Sequence, residues 1–282
     1  MKLKKSIFYK IIISSLFLIF LFYFVKPNQI LQALGQANLF WVLLALLLLP
    51  INLSLQFLRW KSLVVIGNKN VPNSEILKSI FYSFSYSIFT PARLGEIGRA
   101  FHISDSKRGD LIALALYEKI FAFCSLLLFV LLSLVFFKSH FYLLGLFILA
   151  LIIVELKKIV KLIPYFRKYE QIIQRVNTLK ISLISVTLVF VYIFQFYLIL
   201  NAFKNVPFFH SIFMISLVIF FNSLPITLSG LGIRELLSVC FFKVLEVSPA
   251  SAASAAFLIF CINILIPTFL GFVLHLIPKK IK

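Results

Sequence analysis

The sequence predicts an all-α polytopic membrane protein, and three observations lead to that fold class. Hydrophobic residues make up 62% of the 282 residues and charged residues only 13%, and the mean hydropathy is +1.06. A soluble domain carries roughly a quarter charged residues, so lipid must cover the apolar surface that one globular core cannot hide. The apolar residues also form long runs, with basic residues at their ends. We therefore expect a single integral membrane domain over residues 1–282.

Six apolar segments approach the length of about 20 residues that a helix needs to cross the hydrocarbon core. These segments are 6–25, 39–58, 111–136, 141–156, 181–203 and 251–277. The first is interpreted as an uncleaved membrane helix, because the nearest small-residue cleavage site, at 35–37, lies too far beyond the apolar run for a signal peptide. Two further apolar regions, 76–103 and 208–247, are interrupted by Pro, Gly and charge. We expect about six full crossings plus two broken or re-entrant helical hairpins, about eight membrane helices in all. Each hairpin could be a shallow re-entrant loop or two full-depth helices, and full-depth helices would raise the number of crossings to eight or ten.

The distribution of lysine and arginine predicts the orientation of these elements. Of the 28 basic residues, 22 lie in segments 1–10, 59–78, 93–110, 157–180 and 279–282. The segments around Lys26, Lys138 and Lys204 hold one each. The positive-inside rule places the rich segments in the cytoplasm. We therefore expect a cell-membrane protein with cytoplasmic N- and C-termini, in which hairpin 76–103 enters from the cytoplasm and hairpin 208–247 enters from outside.

Charge and cysteine content exclude several other classes of function. The net charge is +19, but the basic residues form no groove or stripe, so we predict no nucleic-acid partner. Basic flanks of this kind attract anionic lipid headgroups. The three cysteines lie inside apolar segments and form no CxxC pair, so we expect no disulfide framework, no metal site and no cofactor.

The two interrupted regions share a sequence pattern. The first turns at TPARLGEIGR (90–99) and the second at PITLSGLGIRE (225–235). Proline breaks a helix and glycine permits left-handed backbone, so we expect structural hinges at Pro91, Gly95, Pro225, Gly230 and Gly232. Two broken helices of opposite orientation are typical of transporters with inverted repeats, in which half-helix ends meet near the membrane middle and hold the substrate.

Polar side chains near these turns are the candidate substrate-binding residues. They are Arg93, Glu96, Arg99, Glu118, Asn222, Arg234 and Glu235. Guanidinium groups match phosphate bidentately, so the three arginines are expected to bind a headgroup phosphate. The three glutamates would hold the arginines, or contact a cationic headgroup or a coupling proton. Asn222 could satisfy freed backbone groups or contact a ligand.

Simpler interpretations of some of these residues stay open. Arg93 and Arg99 could be cytoplasmic anchors, whereas the positive-inside rule does not explain Arg234 in the hairpin that enters from outside. Glu118 lies within an apolar segment, where charge is costly. It could pair locally with Lys119 or meet an arginine of the hairpins. Gln195 is expected to bind a neighbouring helix through its amide.

Two segments, TPARLGEIGRA at 90–100 and LPITLSGLGIRE at 224–235, resemble the two signature segments of a known family. The family is the lysylphosphatidylglycerol synthase transmembrane-region family, a flippase-like membrane domain. Supporting matches are ANLFWVLLALLLL at 37–49, Arg59 with Trp60, and LALYEKIFAF at 114–123. The family usually has Glu-Arg where this chain has Glu-Lys, which puts bidentate chemistry at Lys119 in doubt.

The resemblance implies about eight membrane helices and a role in moving or handling lipids. In the bifunctional members this domain flips aminoacylated phosphatidylglycerol, which a soluble transferase domain makes. Here the chain stops at Lys282, so we expect a stand-alone member that lacks the transferase domain.

The leading hypothesis is a membrane lipid translocase for a phosphate-bearing lipid, either a phospholipid or a polyprenyl-phosphate carrier. No GxSxG, HExxH, P-loop or dinucleotide motif is present, so we expect no enzyme. One alternative is a non-catalytic membrane subunit that anchors or regulates a lipid or envelope biosynthesis enzyme. Another is an intramembrane lipid-modifying transferase that uses a glutamate as base. Membrane lipids are the expected partners, with the headgroup phosphate as ligand; a homo-oligomer or an envelope-biosynthesis partner stays open.

Overall fold

The computed structural model describes residues 19, 23, 25–90, 93–104, 106–137, 142–227 and 229–276. This part of the chain is helical and contains no β-strand. Some predictions fall outside it: nearly all of the first span 6–25, the hinge Pro91, the segment around Lys138, and the basic tail 279–282.

The described helices follow one another with short connections. In chain order they are α1 Pro27–Gly35, α2 Leu39–Gly67, α3 Asn73–Ser87, α4 Arg108–Phe137, α5 Tyr142–Val154, α6 Leu156–Lys161, α7 Pro164–Arg167, α8 Glu170–Gln174, α9 Thr178–Asn201, α10 Phe208–Asn222, α11 Ile233–Phe242, α12 Pro249–Phe260 and α13 Ile266–Leu276. A 3-10 helix, Leu94–His102, follows α3, and a shorter one, Lys243–Leu245, follows α11. A π-helical turn, Cys261–Leu265, joins α12 to α13 into one long rod.

Among the described residues, four helical rods are long and apolar enough to cross a membrane: α2, α4, α9 and the run Pro249–Leu276. They contain the predicted segments 39–58, 111–136, 181–203 and 251–277, apart from end residues, so these helical predictions are confirmed. The predicted segment 141–156 forms the shorter apolar helix α5. At 13 residues, α5 spans roughly 20 Å, which is less than the hydrocarbon thickness of about 30 Å.

Two hairpins of opposite orientation lie between the long helices. The base of the first, α3 with the 3-10 helix, is closed where Glu75 accepts hydrogen bonds from the Ser104 backbone nitrogen at 2.5 Å and hydroxyl at 2.8 Å. The base of the second, α10 with α11, is closed where Lys204 Nζ donates to the Glu246 carbonyl at 2.8 Å. The tips meet where the Ser229 backbone nitrogen donates to the Thr90 carbonyl at 3.3 Å.

The arms of both hairpins are short. Helices α3 and α10 have 15 residues each and α11 has 10. At 1.5 Å per residue these arms are roughly 15 to 23 Å long, shorter than the hydrocarbon core. The arms are therefore also shorter than the long rods α2, α4 and α9.

The connections gather at two ends of the molecule with different charge. The basic end contains the lysine- and arginine-rich segment 157–177, which packs near Gly67 and Lys107. At the opposite end the Asn38 nitrogen donates to the Ala202 carbonyl at 2.8 Å, close to the base of the second hairpin. This separation of charge is the arrangement that the positive-inside rule requires.

Two apolar cores flank the hairpin tips. The first joins α2, α9, α10 and α12, and the second joins the end of α2 to α3, the 3-10 helix and α4. Gln195 on α9 donates to the Ala45 carbonyl at 2.8 Å and accepts from Asn263 at 2.8 Å. The prediction that Gln195 binds neighbouring helices is therefore confirmed, and its fully buried amide is satisfied on both sides.

Candidate functional site

Left-handed backbone shapes both hairpin tips. Arg93 and Ser229 have φ values of 54° and 49°, and Gly230 and Gly232 have 80° and 81°. A Cβ atom on Gly230 would lie 2.2 Å from Asn222 Oδ1, so glycine is required there by both φ and space. At each tip, the sharp turn allows the chain to reverse direction and start a new helix.

Gly95, a predicted hinge in the first tip, must be glycine because the backbone of α3 lies too close to admit a side chain. A Cβ atom on Gly95 would lie 2.5 Å from the carbonyl carbon and oxygen of Tyr86. The Gly95 nitrogen donates to the Thr90 hydroxyl at 2.7 Å, which closes the turn. Pro225 lies in the exposed turn after α10.

A buried carboxylate, Glu118, holds two arginines. Its Oε1 lies 2.7 Å from Arg59 Nη2, and its Oε2 pairs with Arg99 Nη2. The Arg99 guanidinium also lies over the Trp60 ring, 4.0 Å from its centroid. All three charged residues are less than 8% exposed. Of the two interpretations of Glu118, the structure supports the one in which it meets an arginine of the hairpins.

A second carboxylate, Glu96, also binds two cations. Arg93 Nη2 lies 2.6 Å from Glu96 Oε1, and Lys119 Nζ pairs with Glu96 Oε2. These two groups together contain four cations and two carboxylates, so this ion-pair cluster of described residues carries a formal charge of +2. An excess of positive charge in a water-poor region attracts an anion.

The second hairpin contains a self-contained ion pair. Arg234 Nη2 lies 2.5 Å from Glu235 Oε1, and Glu235 Oε2 accepts from the Gly232 nitrogen at 2.8 Å. Glu235 therefore caps α11 at its positive end. The Arg234 guanidinium lies 4.7 Å from the centroid of the Phe260 ring. This pair anchors α11 to α12.

A cavity of about 350 Å³ opens between the hairpin tips and the long helices. Its polar lining comes from both hairpins, α2, α4, α9 and the π-helical turn, and comprises Asn52, Gln56, Arg59, Arg93, Glu96, Lys119, Tyr192, Asn222, Ser223, Ser229 and Asn263. Apolar side chains of α4, α9 and α10 line the rest, among them Phe123, Leu188 and Ile219. We call this space the central cavity.

The predicted site residues divide into two groups. Arg93, Glu96, Asn222 and the hinge Gly230 line the central cavity. Four others lie in buried ion pairs outside that lining: Arg99, Glu118, Arg234 and Glu235. The binding role of all seven predicted residues, in both groups, stays a prediction.

Sequence reasoning assigned no site role to several residues that the fold brings to the central cavity. They include Asn52, Gln56, Arg59, Lys119 and Asn263. Asn52 and Gln56 are four residues apart on the apolar helix α2, and the Gln56 amide donates to Asn52 Oδ1 at 2.7 Å. Two amides on one face of a membrane helix are a usable signal, because lipid-facing positions exclude them. Asn263 lies in the π-helical turn, a feature that is frequent at functional sites.

Five buried polar atoms on cavity-lining residues lack a hydrogen-bond partner within the described part of the chain. They are Arg59 Nε, Arg93 Nε, Asn222 Oδ1, Ser229 Oγ and Asn263 Oδ1. Buried polar groups are nearly always paired with protein or with ordered water. Their convergence on one cavity indicates a place for a polar ligand or for water.

Comparison with known protein families identifies the family to which the chain is similar. A family model described as the lysylphosphatidylglycerol synthase TM region matches residues 7–271. The matched region includes both hairpins and every lining residue of the central cavity. A search of the curated proteins finds no match for the chain.

Proposed function

The chain belongs to the family of the lysylphosphatidylglycerol synthase TM region, and from that premise we propose that it is a lipid translocase for a phosphate-bearing lipid. The observation that carries the proposal is the composition of the central cavity. Its lining combines three cations, one carboxylate and several amides with apolar side chains of α4, α9 and α10. A lipid likewise combines a charged headgroup with apolar chains. The lipid is a phospholipid or a polyprenyl-phosphate carrier.

The charge of the ion-pair cluster supports an anionic headgroup. Its formal +2 is balanced by a phosphate group, and charge-assisted hydrogen bonds from guanidinium and ammonium groups are among the strongest in proteins. Arg59, Arg93 and Lys119 reach the cavity directly. Arg99 lies outside the cavity lining and is paired with Glu118. Arg234 likewise lies outside the lining and is paired with Glu235.

We propose further that both hairpins are re-entrant and that α5, too short to cross alone, completes its crossing together with α6, which gives six crossings and two half-depth hairpins. The short arms and the contact between Thr90 and Ser229 support this topology. The cavity next to the tips would then lie near the membrane middle, where headgroup desolvation costs most. Polar groups there lower the barrier to moving a headgroup between leaflets.

Headgroup translocation in proteoliposomes tests the proposal. The full chain is reconstituted with a fluorescent phospholipid, and the outer leaflet is quenched with a membrane-impermeant reductant. We expect rapid loss of the protected inner-leaflet signal in the wild type. Arg93→Gln and Lys119→Gln should slow that loss because they remove cavity cations. Arg99→Ala and Arg234→Ala test the two buried arginines.

Lys158→Gln is the matched control, since this exposed lysine lies outside the central cavity. It removes the same charge and should leave the rate unchanged. Absence of translocation with fluorescent phospholipids and with a labelled polyprenyl phosphate would contradict the proposal. The subunit alternative would then be favoured, and an envelope-biosynthesis partner would be sought.

A further inference from the structure

A second cavity, of about 500 Å³, lies at the basic end of the molecule. It is bounded by the end of α2, the start of α4, and the segment around α8. Its polar lining includes Ser106, Lys107, Asp110, Lys168 and Arg175. We call it the basic cavity. It shares no lining residue with the central cavity.

The cations that line the basic cavity differ from their neighbours in pairing. Within the described residues, Lys107, Lys168 and Arg175 form no ion pair with a carboxylate. On the outer surface of the same region, Lys158 pairs with Glu155 at 2.8 Å and Lys161 pairs with Glu170 at 2.5 Å. Among the described residues that line the basic cavity, three are cationic and one, Asp110, is a carboxylate. The lining therefore carries a formal charge of +2.

Two further groups give the basic cavity donors for an anion. Helix α4 begins beside it at Arg108, and the first turn of a helix presents free N–H groups and the positive end of the helix dipole. The Ser106 hydroxyl oxygen is buried and has no hydrogen-bond partner within the described part of the chain. The start of α4, the three unpaired cations and Ser106 therefore border the same space.

Tight packing holds the rim of the basic cavity in place. A Cβ atom on Gly109 would lie 2.7 Å from the Tyr169 hydroxyl, so the first turn of α4 packs directly against Tyr169. The Lys168 ammonium lies 5.9 Å from the centroid of the Tyr169 ring. The Lys157 ammonium donates to the Gln174 carbonyl at 2.9 Å, which ties α6 to α8. These contacts position the backbone around the cavity, while the side chains of Lys107, Lys168 and Arg175 are exposed.

We propose that the basic cavity binds a phosphate group, at a site distinct from the central cavity. Tetrahedral phosphate accepts hydrogen bonds from ammonium, guanidinium, hydroxyl and helix N–H donors together. The phosphate belongs to the headgroup of an anionic lipid in the adjacent leaflet or to a free phosphorylated anion. The proposal does not depend on translocation, because none of its residues lines the central cavity.

Binding to the purified full chain tests the site. The first arm titrates inorganic phosphate by calorimetry into protein held in phosphatidylcholine nanodiscs. The second arm measures retention of phosphatidylglycerol by native mass spectrometry. The double variant Lys107→Gln with Arg175→Gln should weaken binding on the order of tenfold or more for each cation removed.

The matched control is the double variant Lys158→Gln with Lys180→Gln, which makes the same charge change outside the cavity. The variant Lys107→Arg keeps the positive charge and should still bind. Retained binding there would show that the double variant loses affinity through lost charge rather than misfolding. Phosphate binding that only the cavity variant loses supports a free-anion site. Lipid retention that only the cavity variant loses supports a headgroup site. Failure of both probes to bind, or equal loss in the control, overturns the proposal even if translocation is intact.

Discussion

At the scale of the residue, one carboxylate links three elements. Glu118 on α4 binds Arg59 from α2 and Arg99 from the first hairpin, and all three side chains are buried. Burying charge costs several kcal/mol per ion, and only close pairing and further hydrogen bonds offset this cost. Arg59 also donates to the Ser185 hydroxyl at 3.2 Å, which extends the network to α9.

Glu118→Gln should therefore destabilise the fold strongly, because it leaves two buried guanidinium groups without their carboxylate. We expect a loss of about 3 to 5 kcal/mol, measured as a lower midpoint of thermal unfolding in detergent. Glu246→Gln is the control, because Glu246 is exposed and its pair with Lys204 is 3.3 Å long. An exposed pair contributes little, so a similar drop in the control would contradict the assignment.

Coupling between the paired residues provides a second residue-scale prediction. Glu118→Gln combined with Arg99→Gln should cost less stability than the sum of the two single variants, because the double variant leaves one guanidinium fewer without a carboxylate. Thermal unfolding of the three proteins measures the interaction energy. Additive effects would mean that the Arg99 contact contributes no stability.

At the scale of the element, the hairpins depend on backbone that only glycine fits. Gly95 allows the 3-10 helix to turn back against α3, and Gly230 allows Asn222 to pack on the second tip. Gly271 has the same role between α13 and α3, where a Cβ atom would lie 2.2 Å from the Phe81 carbonyl oxygen. The hairpins are thus attached to the bundle by close backbone contacts as well as by ion pairs.

Gly95→Ala should displace the first tip, since its Cβ atom meets the Tyr86 carbonyl at 2.5 Å. Overpacking of this kind costs about 1 to 3 kcal/mol, and it should also slow translocation by moving Arg93 and Glu96. Gly35→Ala is the control, because no atom lies within 4 Å of a Cβ atom there. Unchanged stability and rate in Gly95→Ala would show that the tip tolerates movement.

At the scale of the whole molecule, charge separation between the ends predicts the orientation in the membrane. Segment 157–177 lies at the basic end, whereas Ala202 and the base of the second hairpin lie at the other. The positive-inside rule places the basic end in the cytoplasm.

Cysteine labelling in intact cells checks this orientation. The three native cysteines are first replaced, since Cys240 is exposed and would react. A single cysteine at Lys26 or Asn205 should react with an impermeant maleimide from outside. One at Lys158 or Lys180 should react only after permeabilisation. Labelling at Lys158 in intact cells would reverse the topology and the leaflet assigned to the basic cavity.

The long apolar helices and the two interrupted regions could be predicted because their signals are local. Run length and flanking charge identify α2, α4 and α9, and Pro and Gly identify the hairpin turns. The partners of the charged residues could not be predicted in this way. Glu118 and Lys119 are adjacent in sequence, yet on a helix they point about 100° apart, and they pair with different residues of the same 3-10 helix, Glu118 with Arg99 and Lys119 with Glu96.

The sequence by itself determined that the chain enters a membrane, where its long helices lie, and which end carries the positive charge. These properties depend on composition and on the length of apolar runs, because each residue's transfer from water to lipid is set by its own side chain. Only the tertiary structure decided which charges share a pair and which face a cavity. Arg59 and Asn263 lie more than 200 residues apart, yet both line the central cavity. Such neighbours depend on how the helices pack and on where the hairpin tips stop, and these arise from contacts between elements that no local pattern encodes.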